Sequence, residues 1–370
     1  MLVYNSLFLI TMLLVVLKVD HYGRPKLRVS PISGAEITAF KWAVIVFPLF
    51  FFAALRTSVG DTRVYIATFQ TVSSSFTLDD LDTRGVLFYT LMRFCKAFLF
   101  QDPQLWLVML TLLALIPYVK ALRMFSVDVL MSVFLLFATA QFVYFFSGAR
   151  QMIAIAICFY AVRYVIEKNI WKYVLLVLLA MSFHVTAAVM LIVPFVADAK
   201  PWSQKMWLFA IIAVVLVISA ENIVRVFGSS ILENTPYEQY VARALSRKGV
   251  TLPRALVAFV PVLLCFIYRR EQEKLADRTM NVFFNISLIN ACWMAASTAF
   301  GGDLTGRLAE YFGTINVVLY PYIFQKLIRG RNKVAIRICF VVGYVLFYLY
   351  QMYIAWGGLN YGSDVLRLFL

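Results

Sequence analysis

The stretch Ser147-Gly148-Ala149-Arg150-Gln151-Met152-Ile153-Ala154 sets a guanidinium between two apolar runs, 127–146 and 152–166. Near the middle of a spanning helix that charge costs about 2.5–3.5 kcal/mol on insertion scales, and less toward the interface. The cost is tolerable where the arginine meets a buried acid, backbone carbonyls or an anion. Arg150 with Gln151 therefore has the makings of a pyrophosphate clamp, since a guanidinium grips phosphate oxygens in pairs. The same arginine could instead snorkel to lipid headgroups, and its position does not separate the two readings.

Other polar groups invite the same question. Arg56 opens the run Arg56-Thr57-Ser58-Val59-Gly60-Asp61-Thr62-Arg63-Val64-Tyr65. Asp61 and Tyr65, four apart, face together on a helix, and Gly60 permits a tight turn before them. The plainer reading is an interfacial Arg–Asp pair. His184 is one of two histidines and the one inside an apolar segment. There it can serve as a general base, or hold an anion when protonated; otherwise it packs and bonds a carbonyl. In Gly301-Gly302-Asp303-Leu304-Thr305-Gly306-Arg307, the residues Asp303, Arg307 and Tyr311 recur every four positions, as one helical stripe or as a connector with a local salt bridge.

Thr235-Pro236-Tyr237-Glu238 reads as a capping box with proline at the first helical position, and Gly249 as the stop. That predicts a short external helix over 236–248 carrying Tyr240, Arg243 and Arg247, either a lid or a connector. Asp79, Asp80 and Asp82 are acids that could ligate a divalent metal, but no second ligand set accompanies them. Walker, GxSxG and HExxH motifs are absent, so energy from ATP is not indicated, and no cofactor is read from the sequence.

The elements that must position these groups are helices in a bilayer. The 370 residues are 62% hydrophobic and 14% charged, with a mean hydropathy of +0.82; soluble domains carry about a quarter charged residues. Continuous apolar runs, not alternating ones, predict an all-α polytopic integral membrane protein with roughly ten or eleven transmembrane helices. Residues 1–370 read as a single transmembrane domain. The expected spans are 1–19, 39–55, 105–119, 127–146, 152–166, 206–220, 256–268, 280–300, 308–328 and 338–356. Residues 1–19 lack a basic n-region and a cleavage site, so they read as a retained span. Residues 86–100, with Arg93 and Lys96 on one face, read as an interfacial helix. The five cysteines sit in apolar segments as packing residues. The net charge of +15 fits basic loops and anionic substrates better than nucleic acid.

Basic loops prefer the cytoplasm. They can all lie there if 172–196 is a re-entrant helical hairpin turning at Ser182–His184, each arm of about 11 residues spanning ~16 Å. The alternative makes 86–100 a true span. With the hairpin, the external loops are 56–104 and 223–253. Arg56, Asp61, Arg63, Arg150, Arg243, Arg247, Asp303 and Arg307 then share the non-cytoplasmic side, with His184 pointing toward it. The outer basic residues are mostly arginine, which suits anion binding.

At these residues the chain resembles the EpsG-type, Wzy-like family of bacterial O-antigen and exopolysaccharide polymerases. The likeness runs from about Phe50 to Ile328, through Leu55-Arg56…Gly60-Asp61-Thr62…Tyr65…Phe69, Ser147-Gly148-Ala149-Arg150-Gln151…Ala154, Phe183-His184-Val185-Thr186…Pro194 and Gly306-Arg307…Tyr311-Phe312. The resemblance implies an inner-membrane glycosyltransferase that joins undecaprenyl-pyrophosphate-linked repeat units on the periplasmic or outer face. The growing glycan would pass from its lipid pyrophosphate to a sugar hydroxyl of the next unit. On this reading Arg150 and Arg307 hold the pyrophosphate with Arg56 in support, and Gln151, Tyr65, Asp303, Tyr311, Arg243 and Arg247 line the substrate. His184 is the preferred base and Asp61 the reserve. Membrane lipids, a chain-length regulator and a flippase are the expected partners. Two alternatives stand beside it: another polyprenyl-linked-sugar transferase of the GT-C type, and a transporter or flippase of lipid-linked or anionic sugars.

Overall fold

A computed structural model describes residues 1–18, 39–73, 85–215, 219, 249–298, 302–357 and 359–369. The chain is an all-α polytopic membrane protein, apart from a two-residue strand pair near its C-terminal end. It groups into two compact units. The first comprises Met1–Ala161, Val174–Ala188 and Tyr320–Leu370; the second, Val162–Tyr173 and Val189–Leu319.

In the first unit, α1 (Leu2–Lys18) and α5 (Pro103–Phe125) pack against α2 (Ala39–Ala54). α3 (Thr62–Thr71) lies on α5, and α6 (Val129–Ala138) lies between α1 and the helix Lys333–Tyr350. Helix starts follow local chemistry. The Asp102 carboxylate accepts from the Gln104 amide at 2.8 Å, with Pro103 at the first helical position. The Asp128 carboxylate accepts from the Met131 amide at 3.0 Å at the start of α6.

Among the described residues, three helices are long and apolar enough to cross a membrane: Pro103–Phe125, Ala149–Ile166 and Lys333–Ala355. Leu252–Ile267 joins Arg269–Leu275 at a 72° bend, as a possible fourth span. The remaining apolar helices are shorter, among them Leu2–Leu17, Ala39–Ala54 and Gln204–Val215.

Two expected continuous spans are broken. The 127–146 run leaves the α-helix after Ala138, takes Ala140 through φ +60°, and continues as a 3-10 turn over Gln141–Phe145. Gln141 is thereby turned to accept from the Tyr118 hydroxyl at 2.6 Å, inside the bundle. A buried amide that finds a partner off the helix axis compensates for the broken backbone ladder. The 308–328 run divides into Gly302–Gly313, Asn316–Tyr322 and a π-turn over Ile323–Leu327.

The 172–194 segment folds back on itself. α8 (Ile170–Phe183) ends at His184, and a 3-10 stretch (Val185–Ile192) leads into α9 (Val193–Ala197). At its base the Tyr173 hydroxyl donates to the Met190 carbonyl at 2.7 Å. A straight helix would hold residues 17 apart at ~25 Å. In the second unit, Arg278 ties the two ends of this excursion together. It donates to the Ile166 carbonyl at 2.9 Å and the Val165 carbonyl at 3.0 Å, and pairs with Asp198. That unit is built around the nearly wholly buried helix Arg278–Ala296, flanked by Leu252–Ile267 and Gly302–Gly313.

Candidate functional site

Arg56 is the first surprise of the site, because it is 0% exposed. Its Nη1 donates to the Ala53 carbonyl and, at 3.3 Å, to the Thr111 hydroxyl. Its Nε donates to the Thr62 hydroxyl at 3.0 Å. That hydroxyl lies 2.5 Å from the Val59 carbonyl and 3.3 Å from the Phe146 carbonyl, the two acceptors available to its proton. Arg56 is thus a pin inside the turn, and its Nη2 is buried without a partner. An arginine with several protein acceptors in a dry setting is held in place by them.

The turn that Arg56 pins runs into the Ser147 stretch. Gly60 sits at φ +50°, and a Cβ there would fall 2.2 Å from Ser147 Oγ and 2.5 Å from Ser147 Cβ. Only glycine allows both the left-handed backbone and this approach. Asp61 follows at once, half-exposed, with its carboxylate capping none of the α3 amides. One helical turn on, Tyr65 is 5% exposed, and its hydroxyl accepts from the Arg150 backbone amide. Burial first, then the Asp61 charge, push the Tyr65 hydroxyl above its ordinary pKa, with Arg150 and Arg56 opposing; it therefore keeps its proton.

Arg150, at the start of α7 (Ala149–Ile166), has an aromatic frame. Its guanidinium carbon lies 5.4 Å from the Phe88 ring centre and 5.6 Å from that of Tyr89, within cation–π range. Nη1 donates to the Tyr89 hydroxyl at 3.2 Å, while Nε is buried and unpartnered. Phe88 and Tyr89 come from α4 (Val86–Phe98), which is braced by stacking. Phe88 meets Trp106 of α5 at 5.3 Å and Tyr65 at 5.9 Å, and Phe69 stacks on Trp106 at 5.9 Å. Lys96 fixes the far end of α4 by donating to the Gln70 and Val72 carbonyls, each at 2.7 Å.

The His184 turn abuts the near end of the same helix. A Cβ on Gly85, the residue before α4, would lie 2.9 Å from the Phe183 carbonyl. From Gly85 to Tyr89 is about 6 Å along the helix. α4 therefore carries the Arg150 frame and rests against the histidine turn at once. The His184 Nδ1 is engaged by the Thr186 hydroxyl, which sets the ring's direction.

The first unit thus brings together Arg56, Asp61, Tyr65, Arg150 and the His184 turn; Gln151 beside them is 2% exposed, facing into the core. Arg307 and Tyr311 belong to the second unit, on the helix Gly302–Gly313, Arg307 exposed and Tyr311 buried. Asp303 falls on the same helix, its side chain outside the described set. The Arg254–Glu310 ion pair, 3.1 Å, lies beside them. Arg243, Arg247, the 236–248 helix and Asp79, Asp80 and Asp82 fall outside the described residues. Among the described residues no cluster of metal-ligating side chains occurs. Phe88, Tyr89 and Gly85 carry no sequence signal as site residues: an amphipathic helix carries aromatics for packing as a rule, and only Arg150's position gives them meaning.

A family model described as the EpsG family matches residues 40–361, which takes in all four motif stretches. The chain belongs to the EpsG family. No curated protein and no solved structure matches it significantly. EpsG membership carries a polysaccharide-polymerase, glycosyltransferase-like role in a membrane, with a lipid-linked glycan as the class of substrate. For an EpsG chain the close approach of Gly60 to Ser147 is informative, because it brings two of the family-like stretches together in space.

Proposed function

We propose that this protein polymerises undecaprenyl-pyrophosphate-linked oligosaccharide repeat units on the non-cytoplasmic face of the bacterial inner membrane. The observation that supports this most is the contact of Gly60 with Ser147, which sets the Asp61 carboxylate and the Arg150 guanidinium at one end of one helix cluster. An acid or histidine beside a partly unsatisfied arginine is what transfer from a pyrophosphate needs. The acceptor hydroxyl oxygen attacks the anomeric carbon of the growing chain, and the bond from that carbon to the pyrophosphate breaks. The lipid pyrophosphate leaves with the bonding electrons, and the hydroxyl proton passes to a base.

In this reading Arg150 meets the leaving pyrophosphate, with its unpartnered Nε a spare donor for developing charge. His184 is the base, with Asp61 the other candidate. Arg56 acts through the turn it pins and does not touch substrate. Arg307 is an anion contact of the second unit, to be tested by itself, and the re-entrant character of 172–196 belongs to the same proposal. Purified protein supplied with undecaprenyl-pyrophosphate-linked repeat units tests the reading by chain length. Elongation by the native protein, lost in Arg150→Ala at normal folded levels, supports it. Net translocation of the lipid-linked unit without elongation would sink it in favour of a transporter.

A further inference from the structure

The last carbonyls of α2 and the turn after it are satisfied from outside the helix. Ala53 receives Arg56, and Ala54 receives the Gln104 side chain. The others are met by the tail 361–364. The Tyr361 hydroxyl donates to the Phe52 carbonyl at 3.0 Å, and the Ser363 hydroxyl donates to the Leu55 carbonyl. The Thr57 amide donates to the Gly362 carbonyl at 2.7 Å, and the Asp364 amide donates to the Thr57 hydroxyl at 3.1 Å. The residues on both sides of Arg56 are therefore held by the tail. A small hairpin stiffens it: Gly362 pairs with Phe369 and Ser363 with Leu368, and the Leu366 amide donates back to Ser363 Oγ at 3.1 Å.

The tail also touches the second motif stretch. The Tyr361 ring lies 5.7 Å from Phe52 and 6.2 Å from Phe146, edge-on to both, and Tyr4 packs on it from α1. Phe146 precedes Ser147, and its carbonyl faces Thr62. The family match ends at residue 361, so the paired residues 362–369 lie outside what it assigns.

We propose that the hairpin of residues 361–369 is a positioning arm of the site, holding the Arg56–Asp61 turn in register with Ser147–Arg150. Ser363 is its central positioning residue, since its hydroxyl both caps Leu55 and orders the hairpin. The proposal takes its activity arm from the polymerase reading, but its first test does not.

Hydrogen–deuterium exchange on the full chain in nanodiscs reads the turn directly. Ser363→Ala should speed exchange across residues 55–62 by about five- to tenfold, the worth of one or two lost hydrogen bonds. Exchange in the second half of α5 should stay unchanged, and Ser363→Thr should restore protection. Tyr361→Phe, which keeps the ring and removes the bond to Phe52, should give a smaller increase in the same peptide. In the elongation assay Ser363→Ala should lower kcat with KM little changed, and Ser363→Thr should recover it. Unchanged exchange at 55–62, or faster exchange throughout the chain, overturns the positioning role. If the turn loosens as expected but the native protein shows no elongation, the polymerase reading fails and the arm stands.

Discussion

Gly60→Ala is the sharpest probe of how the two motif stretches meet. A methyl at this position would fall 2.2 Å from Ser147 Oγ and 2.5 Å from Ser147 Cβ, on a backbone at φ +50°. The left-handed conformation costs a non-glycine residue about 1–2 kcal/mol, and overpacking adds about 1–3 kcal/mol. The total loss of stability is therefore about 2–5 kcal/mol, with elongation falling as the turn is pushed off Ser147. Ser147→Gly isolates the steric part, for it removes both offending atoms and leaves only the Ser147 Cα at 3.2 Å. In that background Gly60→Ala should cost little more than the backbone term, a coupling of about 1–3 kcal/mol in a double-mutant cycle. Equilibrium unfolding of the purified protein in micelles measures it, alongside chain elongation. If the two substitutions are additive within about 0.5 kcal/mol, the contact is absent and the joined site is wrong.

Gly85→Ala should disturb the site without straining the backbone, since its φ of 171° is open to any residue. The new methyl would press on the Phe183 carbonyl, so stability should fall by an overpacking cost of about 1–3 kcal/mol, and elongation should fall about tenfold or more as catalytic geometry slips. Arg150→Lys keeps the charge and loses the planar fork that bonds Tyr89 and lies over two rings; kcat should drop by about tenfold or more, whereas recovery to native rates would point to a snorkelling role. Arg278 holds the Asp198 carboxyl below its ordinary pKa, so the pair contributes stability above the unfolded-state value and loses it as pH falls through the lower folded one. Asp198→Asn should lower the thermal midpoint slightly at pH 7, by under about 1 kcal/mol for so exposed a carboxylate, and the difference from native protein should vanish under strongly acidic conditions.

Much of the architecture is written in local chemistry. The apolar runs announce membrane helices, whereas the caps that start two of them, Asp102 and Asp128, emerge only with the structure. The break at Ala140 is another matter. No proline or glycine marks it, and the reason for it, the Tyr118 hydroxyl, lies on a different helix. Arg56 shows the limit of reading function from residue type. Its sequence context suits an anion ligand as well as a pin, and nothing in that context announces the Thr62, Thr111 and Ala53 contacts that hold it. Tyr89 was illegible for the converse reason, being an ordinary aromatic until Arg150 is placed beside it. The tail hairpin is shortest of all, with its partners 308 residues away; no periodicity reaches that far.

The dispersed capping of α2 bears on the order in which the protein comes into being. The carbonyl of Ala54 waits for a side chain 50 residues later, and those of Phe52 and Leu55 for groups 309 and 308 residues later. A nascent chain inserted as far as the helix Lys333–Tyr350 has every motif residue translated, yet the turn around Arg56 still lacks its last partners. The turn around Arg56 therefore cannot close until residues 361–364 exist, long after the motif residues it holds in place have been made.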